Sequence, residues 1–461
     1  MRIVITNPPW KTRKEGFYGL RSNSRWPHIR PDKHLQFPIY LAYTSSILKE
    51  NGHEVLAFDA VADELDSDGF YKKIDDFNAE VVFMECSTPS FDQDIYNAGL
   101  IKNQGCKVFL FGTHISAFTE KLVESHRNID GFIRGEYELI IKDVVDNITD
   151  FSSIKGLAFW DKENNVAKIN DKAENIKDLD SLPFPDRESF KASDYYIHLD
   201  PKPNALLVTS RGCPYQCTYC IWPQAMNGHL YRARTAKNMV DEVEFLVKEK
   251  GIIFYRFDDD IFSLKKDLVI EFCNLIIERG IQKIAKWACF GHVNVPHEEM
   301  YKMMALSGCT RIDFGVESGS QKVLDGMKKN IDIEKAKRTF DLCRRYGIRT
   351  YADYMVGFPH ESVEDIHKTI DSSIYIDPDY IQISYVIPIP GTSMYSEGIK
   401  NGWIDKDKPF EDYDSTGQII NTGDITDQDL KRMYNLFWKK FYMRPKLVIR
   451  ELLRMIKSKE E

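Results

Sequence analysis

Three cysteines stand in a C-x3-C-x2-C spacing within RGCPYQCTYC, residues 211–220, directly after the apolar run 205–210. Cys213, Cys217 and Cys220 on one short loop can bind metal together, and soft sulfur ligands point to zinc or an iron–sulfur cluster rather than to a disulfide. A closed structural zinc site needs four ligands, and the only nearby fourth candidate is His229, nine residues on and outside the usual paired spacing. A [4Fe-4S] cluster on three cysteines keeps one iron open to a substrate or cofactor, so the triplet favours the cluster. The other six cysteines (Cys86, Cys106, Cys273, Cys289, Cys309 and Cys343) are scattered singly among apolar residues and read as core positions in a reduced compartment.

Further polar residues gather where strand-like runs end. Asp258, Asp259 and Asp260 follow the run 253–257, and adjacent carboxylates repel one another unless a cation uses them or one caps a helix. Glu317 and Ser318 follow the run 311–316 between glycines; a carboxylate there can accept from an ammonium or a ribose hydroxyl, while Ser318 has capping as its alternative. Gly357 and Phe358 end the run 349–355, and Tyr385 ends 381–386, where it is a candidate substrate or proton-transfer residue or a packing residue.

These residues need a frame. Six strand-like runs with helical patterns between them, such as 236–250 and 333–345, occupy residues 201–395 and fall short of an eight-stranded barrel. Before them, residues 1–150 alternate apolar runs (2–6, 53–59, 80–86, 106–112, 129–133) with helix-like stretches, the pattern of a doubly wound parallel sheet. Ligands on such a sheet sit at the carboxyl ends of its strands, which places Ser87, Thr88, Gly112, His114 and Ser116 on the loops to watch. No G-x-G-x-x-G follows the first strand, so a dinucleotide site is not expected. Residues 151–200 read as a β-hairpin and a proline-stiffened linker, and 396–461 as a helical tail packing on the barrel. The 461 residues, 43% of them hydrophobic, suffice for about three units. A net charge of −8 and the lack of a long basic block argue against a general nucleic-acid or membrane-surface binder. No signal peptide and no apolar stretch of membrane-spanning length is found, so the cytoplasm is the expected place.

The cysteine loop resembles the signature of the radical S-adenosylmethionine (SAM) superfamily, C-x3-C-x-aromatic-C, with Tyr219 as the aromatic. The likeness implies an open (βα)6 barrel with a [4Fe-4S] cluster whose free iron binds SAM and whose electron yields a 5′-deoxyadenosyl radical. It implies a SAM site at the acid triplet and Glu317, adenine contacts at GFPHE (residues 357–361), and a family loop in YVIPIPGT, 385–392. GTHIS (112–116) with RGEYE (134–138) is similar to stretches of the cobalamin-binding domain of B12-dependent radical SAM proteins. Gly112 and Ser116 would then meet the cobalamin nucleotide tail, with His114 either near the corrinoid or an ordinary loop histidine. The D-x-H-x-x-G motif is absent, so no axial histidine is expected from it. The family likeness implies methylation of an unactivated carbon, less often phosphorus, of a biosynthetic intermediate, with a flavodoxin or ferredoxin as reductant. A radical cyclase or rearrangement enzyme is the alternative within the class, and a non-catalytic metal or corrinoid sensor the alternative outside it.

Overall fold

A computed structural model of the chain describes all residues except 11–18, 21–27, 30–34, 191–194, 196, 198, 414–416 and 461. The basic stretch 11–34, expected to be a loop or a cover for a ligand, therefore lies almost wholly outside the described residues.

The first half is a seven-stranded sheet. β1 (Arg2–Asn7), β2 (Glu54–Asp59), β3 (Val81–Glu85), β4 (Lys107–Phe111) and β5 (Gly131–Ile133) are parallel, and β6 (Leu157–Asp161) and β7 (Val166–Ile169) add an antiparallel edge. The order is β2-β1-β3-β4-β5-β6-β7. β3 is buried at all five positions, as a parallel strand covered on both faces must be. Helices α1 (Ile39–Glu50), α2 (Ser67–Asp76), α3 (Phe91–Asn103), α4 (Thr113–Ser125) and α5 (Tyr137–Asp146) supply the cover. The 157–169 hairpin, expected as an ornament on the linker, pairs with β5 instead, so this sheet runs past residue 150. Its inner strand edge supplies the reason: Leu157 and Ala158 are fully buried beside Ile133 and Phe132.

The second half is a six-stranded, wholly parallel sheet in sequential order. It comprises β8 (Asn204–Leu207), β9 (Phe254–Phe257), β10 (Lys286–Gly291), β11 (Cys309–Glu317), β12 (Arg349–Val356) and β13 (Tyr380–Tyr385). Between the strands run α6 (Ala236–Glu249), α7 (Lys266–Glu278), α8 (Glu298–Leu306), α9 (Ile333–Arg345) and α10 (Val363–Ile376). Six parallel strands with these helices between them form the expected open barrel, with the aromatic cluster of Phe257, Phe262, Phe272 and Trp287 packed among its helices.

The tail differs from expectation in one helix. α11 (Asp427–Tyr442) buries Leu430, Met433, Phe437 and Phe441 on the barrel. α12 (Pro445–Glu460) is held by Leu447 and by Arg450 and Arg454, which pair with Asp377 and Asp379, and leaves its apolar face in solvent. No helix among the described residues is long and apolar enough to cross a membrane.

Candidate active site between the two halves

The cysteine loop is closed at its base by a two-stranded ribbon, Ser210–Arg211 against Arg232–Ala233. Gly212 takes φ 85°, and a Cβ there would stand 2.2 Å from the carbonyl oxygen of Leu230, so the ribbon closes only over glycine. Gln224, on the π-helical turn Trp222–Asn227, donates to the carbonyls of Cys217 (3.1 Å) and Cys220 (2.8 Å), while its oxygen accepts from the Ser393 N–H at 2.8 Å. One side chain thus ties the loop to the segment after β13. His229, the possible fourth ligand, donates its Nδ1–H to the Cys213 carbonyl at 3.0 Å, a backbone support rather than a position among the thiols. Burial pushes the Cys213 thiol up to about 11 and the Cys217 thiol upward, so both keep their protons at neutral pH and must release them to ligate a metal.

All three cysteines line a cavity of about 450 Å³ at the carboxyl ends of the barrel strands. Thr88, Pro89 and Thr113, from the loops after β3 and β4, line the same cavity from the first half. Among the described residues no three His, Cys, Asp or Glu side chains are placed to hold a single metal ion.

Beside the cysteines, Tyr219 donates to Glu317 Oε1 at 3.0 Å, and Lys329 Nζ reaches the same oxygen at 3.0 Å and the tyrosine oxygen at 3.2 Å. The chain turns left-handed at Glu317 (φ 67°), where the β11–β12 register shifts, which is backbone strain at the site. Gly315 makes room: a Cβ there would lie 2.3 Å from Glu317 Oε1. Burial alone would lower the Lys329 ammonium, but the Glu317 carboxylate, joined by the Cys217 and Cys220 sulfurs when they are ionised, holds it above its ordinary range. A carboxylate and an ammonium side by side match the ammonium and carboxylate of an amino acid. Lys329 escaped the sequence reading because nothing near it in the chain marks it.

The acid triplet divides. Asp260 lines the cavity. Asp259 is buried and accepts from the Thr209 N–H and hydroxyl, both at 2.6 Å, and from the Ser210 hydroxyl at 2.8 Å, so it fixes the approach to the cysteine loop. Asp258 is buried off the cavity wall, its N–H on the Leu207 carbonyl. Ser318 faces Thr369 at 3.0 Å and receives the Ser320 N–H in a local turn off the cavity; the helix that follows has Ser320 at its N-cap, so Ser318 does not cap it. The N–H groups of Gly357 and Phe358 are taken by Glu361, at 2.6 and 3.3 Å, and the Phe358 ring packs with Val323 and Met327, so neither lines the cavity. Tyr385 lines the cavity with its ring stacked on Tyr434 at 4.9 Å.

In the first half only Thr88 of the five marked residues faces the cavity. Ser87 is buried on Ser90 at 2.7 Å, and Gly112 precedes α4 at φ 112°. His114 is enclosed by Phe91, Phe118 and Phe410, its Nδ1 at 3.2 Å from Thr88 Oγ1, and burial pushes its imidazole down to about 3. Ser116 accepts the Gly135 N–H at 3.1 Å and lies 3.6 Å from Met226 Sδ, a joint between the halves.

The RGEYE stretch has a different task from contact with a ligand. Glu138 holds Arg211 at 2.6 Å, and Glu136 holds Arg232 and stands 3.9 Å from Arg211. The Arg211 guanidinium also lies over the rings of Tyr40 (4.9 Å) and Tyr43 (5.7 Å) of α1. Both arginines of the ribbon are thus anchored in the first half.

Residues 207–372 match the radical SAM superfamily model. The chain carries a radical SAM domain. It is 27% identical to an uncharacterised methyltransferase of Pyrococcus horikoshii over 418 residues, 90% of each chain. It is 28% identical to the anaerobic magnesium-protoporphyrin IX monomethyl ester cyclase of Cereibacter sphaeroides, over 86% of this chain and 63% of that one. Its fold is similar to that of the radical SAM methyltransferase TsrM of Kitasatospora setae with cobalamin and a [4Fe-4S] cluster bound: TM-score 0.72, 17% identity, covering 94% of this chain and 90% of the other. The radical SAM domain begins in β8 and takes in the cysteine loop, Glu317 and Lys329.

Proposed function

We propose that the chain is a cobalamin-dependent radical SAM methyltransferase acting on an unactivated carbon, less often phosphorus, of a small biosynthetic intermediate. The observation that carries the reading is the shared cavity, where Cys213, Cys217 and Cys220 face the β3 and β4 loops across about 450 Å³. When bound, the cluster, SAM and cobalamin supply the radical and the methyl group. The chain's own residues hold and shield them: the three cysteines ligate the cluster, Glu317 receives the ammonium of SAM and Lys329 its carboxylate, and Asp260 and Tyr385 border the substrate space. Thr88 and Thr113 bound the cobalamin side, where no described histidine of the first half lines the cavity. A flavodoxin- or ferredoxin-like protein supplies the electron.

The charges on the wall bear on the substrate. Among the described residues Arg256 and Arg311 are each held by Asp200 and Asp313, and Lys329 by Glu317, so no cation of the wall is left over. Asp353 faces the same cavity, its carboxyl pushed well above the usual range by burial and then by Glu317 and Asp313. This favours a substrate that is neutral or basic near its reacting carbon.

A cyclase or rearrangement enzyme is the second reading, favoured by the 28% identity to the protoporphyrin ester cyclase. Anaerobic reconstitution with iron, sulfide and hydroxocobalamin, then SAM, a reductant and candidate substrates, separates the two. Methyl transfer gives both 5′-deoxyadenosine and S-adenosylhomocysteine, with the product heavier by one methylene. Deoxyadenosine alone during turnover supports the cyclase reading. A chain whose iron uptake is indifferent to Cys217→Ala refutes both.

A further inference from the structure

We propose that the C-terminal helix α12 is an interfacial anchor that lays its apolar face on an anionic lipid surface. Val448, Ile449, Leu452, Leu453 and Ile456 are each between 46% and 57% exposed. Their spacing, i, i+1, i+4, i+5 and i+8, puts all five on one stripe of the helix. The opposite side is already used: Leu447 is buried, Arg450 reaches Asp377 at 3.2 Å and Arg454 reaches Asp379 at 2.7 Å. The helix is therefore fixed to the barrel by its polar side with its aliphatic side turned out. Five large aliphatic side chains in one exposed stripe mark an interaction surface.

Charge decides the occupant. Residues 439–461 hold eight Lys and Arg against three Glu, whereas the chain as a whole has a net charge of −8. The sequence around the stripe is thus basic in an acidic chain: Arg444, Lys446, Arg450 and Arg454 outnumber the Asp377 and Asp379 with which they pair, and Lys446 stays 78% exposed. Two copies packed stripe to stripe would bring two cationic segments together. An anionic bilayer attracts the same arrangement, each Lys or Arg near its surface contributing about 1 kcal/mol. Position agrees: Asp377 and Asp379 precede β13, whereas Gln382, Ser384 and Tyr385 farther along β13 line the cavity. A chain resting on α12 keeps its cavity turned away from the lipid.

The test is co-sedimentation of the full chain with vesicles of phosphatidylcholine mixed with phosphatidylglycerol, against vesicles of phosphatidylcholine alone. The parent chain sediments with the mixed vesicles, and high salt or the neutral vesicles weaken this. L452E/L453E and the uncharged L452S/L453S each reduce binding about tenfold or more, because both remove aliphatic surface from the stripe. Since both leucines are exposed, the variants keep the parent's thermal midpoint and iron uptake. Absence of the parent from the mixed-vesicle pellet overturns the proposal, as does unchanged binding in L452S/L453S. A parent dimer that ignores vesicles and is split to monomers by L452E/L453E overturns it in favour of a second copy.

Discussion

At the residue scale, Glu361 is an acid whose environment sets its protonation. It is fully buried, its Oε2 accepts two backbone N–H groups of the 357–358 turn, and its Oε1 has no hydrogen-bond partner. Burial outweighs those two donors and pushes the carboxyl from an ordinary 4.5 up to about 8. Between these values the folded chain keeps a proton that the unfolded chain releases, so this group's contribution to stability falls as pH rises through that window. Glu361→Gln keeps the shape and removes the titration. Thermal midpoints measured across the window should decline less steeply with pH for E361Q than for the parent, with E361Q the more stable at the alkaline end. Parallel curves would refute the protonated state. The same scale shows what a sequence discloses about a site. Cys213, Cys217, Cys220 and Tyr219 were legible because the loop places them together in the chain. Lys329 and Asp353 were not, since each is a single residue whose meaning comes from strands brought side by side. Asp259 and Ser318 carried the right chemistry at the right strand ends, but their own loops consume it.

At the element scale, the ribbon beneath the cysteine loop depends on charges from the other half of the chain. Arg211 is 2% exposed, and Glu138 and Glu136 neutralise it. Removing one partner of a buried pair leaves a charge without compensation and costs about 3 kcal/mol, whereas replacing both by apolar groups costs far less. R211M should therefore lower the unfolding free energy by about that amount and slow iron retention by the reconstituted chain, while R211M/E138L recovers most of the stability. Equal losses in R211M and the double variant would show that the pair does not act as a unit. The strand and helix alternation of both halves was readable from hydrophobic period, and so were most element limits to within about two residues. Period alone did not reveal that the 157–169 hairpin completes a sheet, because an edge hairpin and a free one share the same pattern. Nor did it show which side of α12 meets the barrel, since an amphipathic stripe says that a face exists and not what covers it.

At the scale of the whole molecule, the two halves share a continuous core rather than a hinge. Leu206, Val208, Trp222 and Met226 pack in the same cluster as Ile39, Tyr40, Ile141 and Val144. Tyr43 of α1 donates to the Val208 carbonyl at 3.3 Å, and Arg187 of the linker reaches the Leu206 carbonyl and Glu242. The barrel floor is closed by the same logic, because Asp200 at the end of the linker joins Arg256 of β9 to Arg311 of β11. A ligand in the cavity consequently touches both halves of one packed core, with walls from the β3 and β4 loops, the cysteine loop and the ends of β11 to β13. Hydrogen exchange measures this directly. Adding hydroxocobalamin and SAM to the cluster-loaded chain should slow exchange together at residues 87–90, 112–116 and 213–222, and leave α12 unchanged. Protection confined to the cysteine loop would mean that the first half binds no cofactor. Protection confined to the first half would place the cofactors apart and remove the shared cavity as the seat of the chemistry.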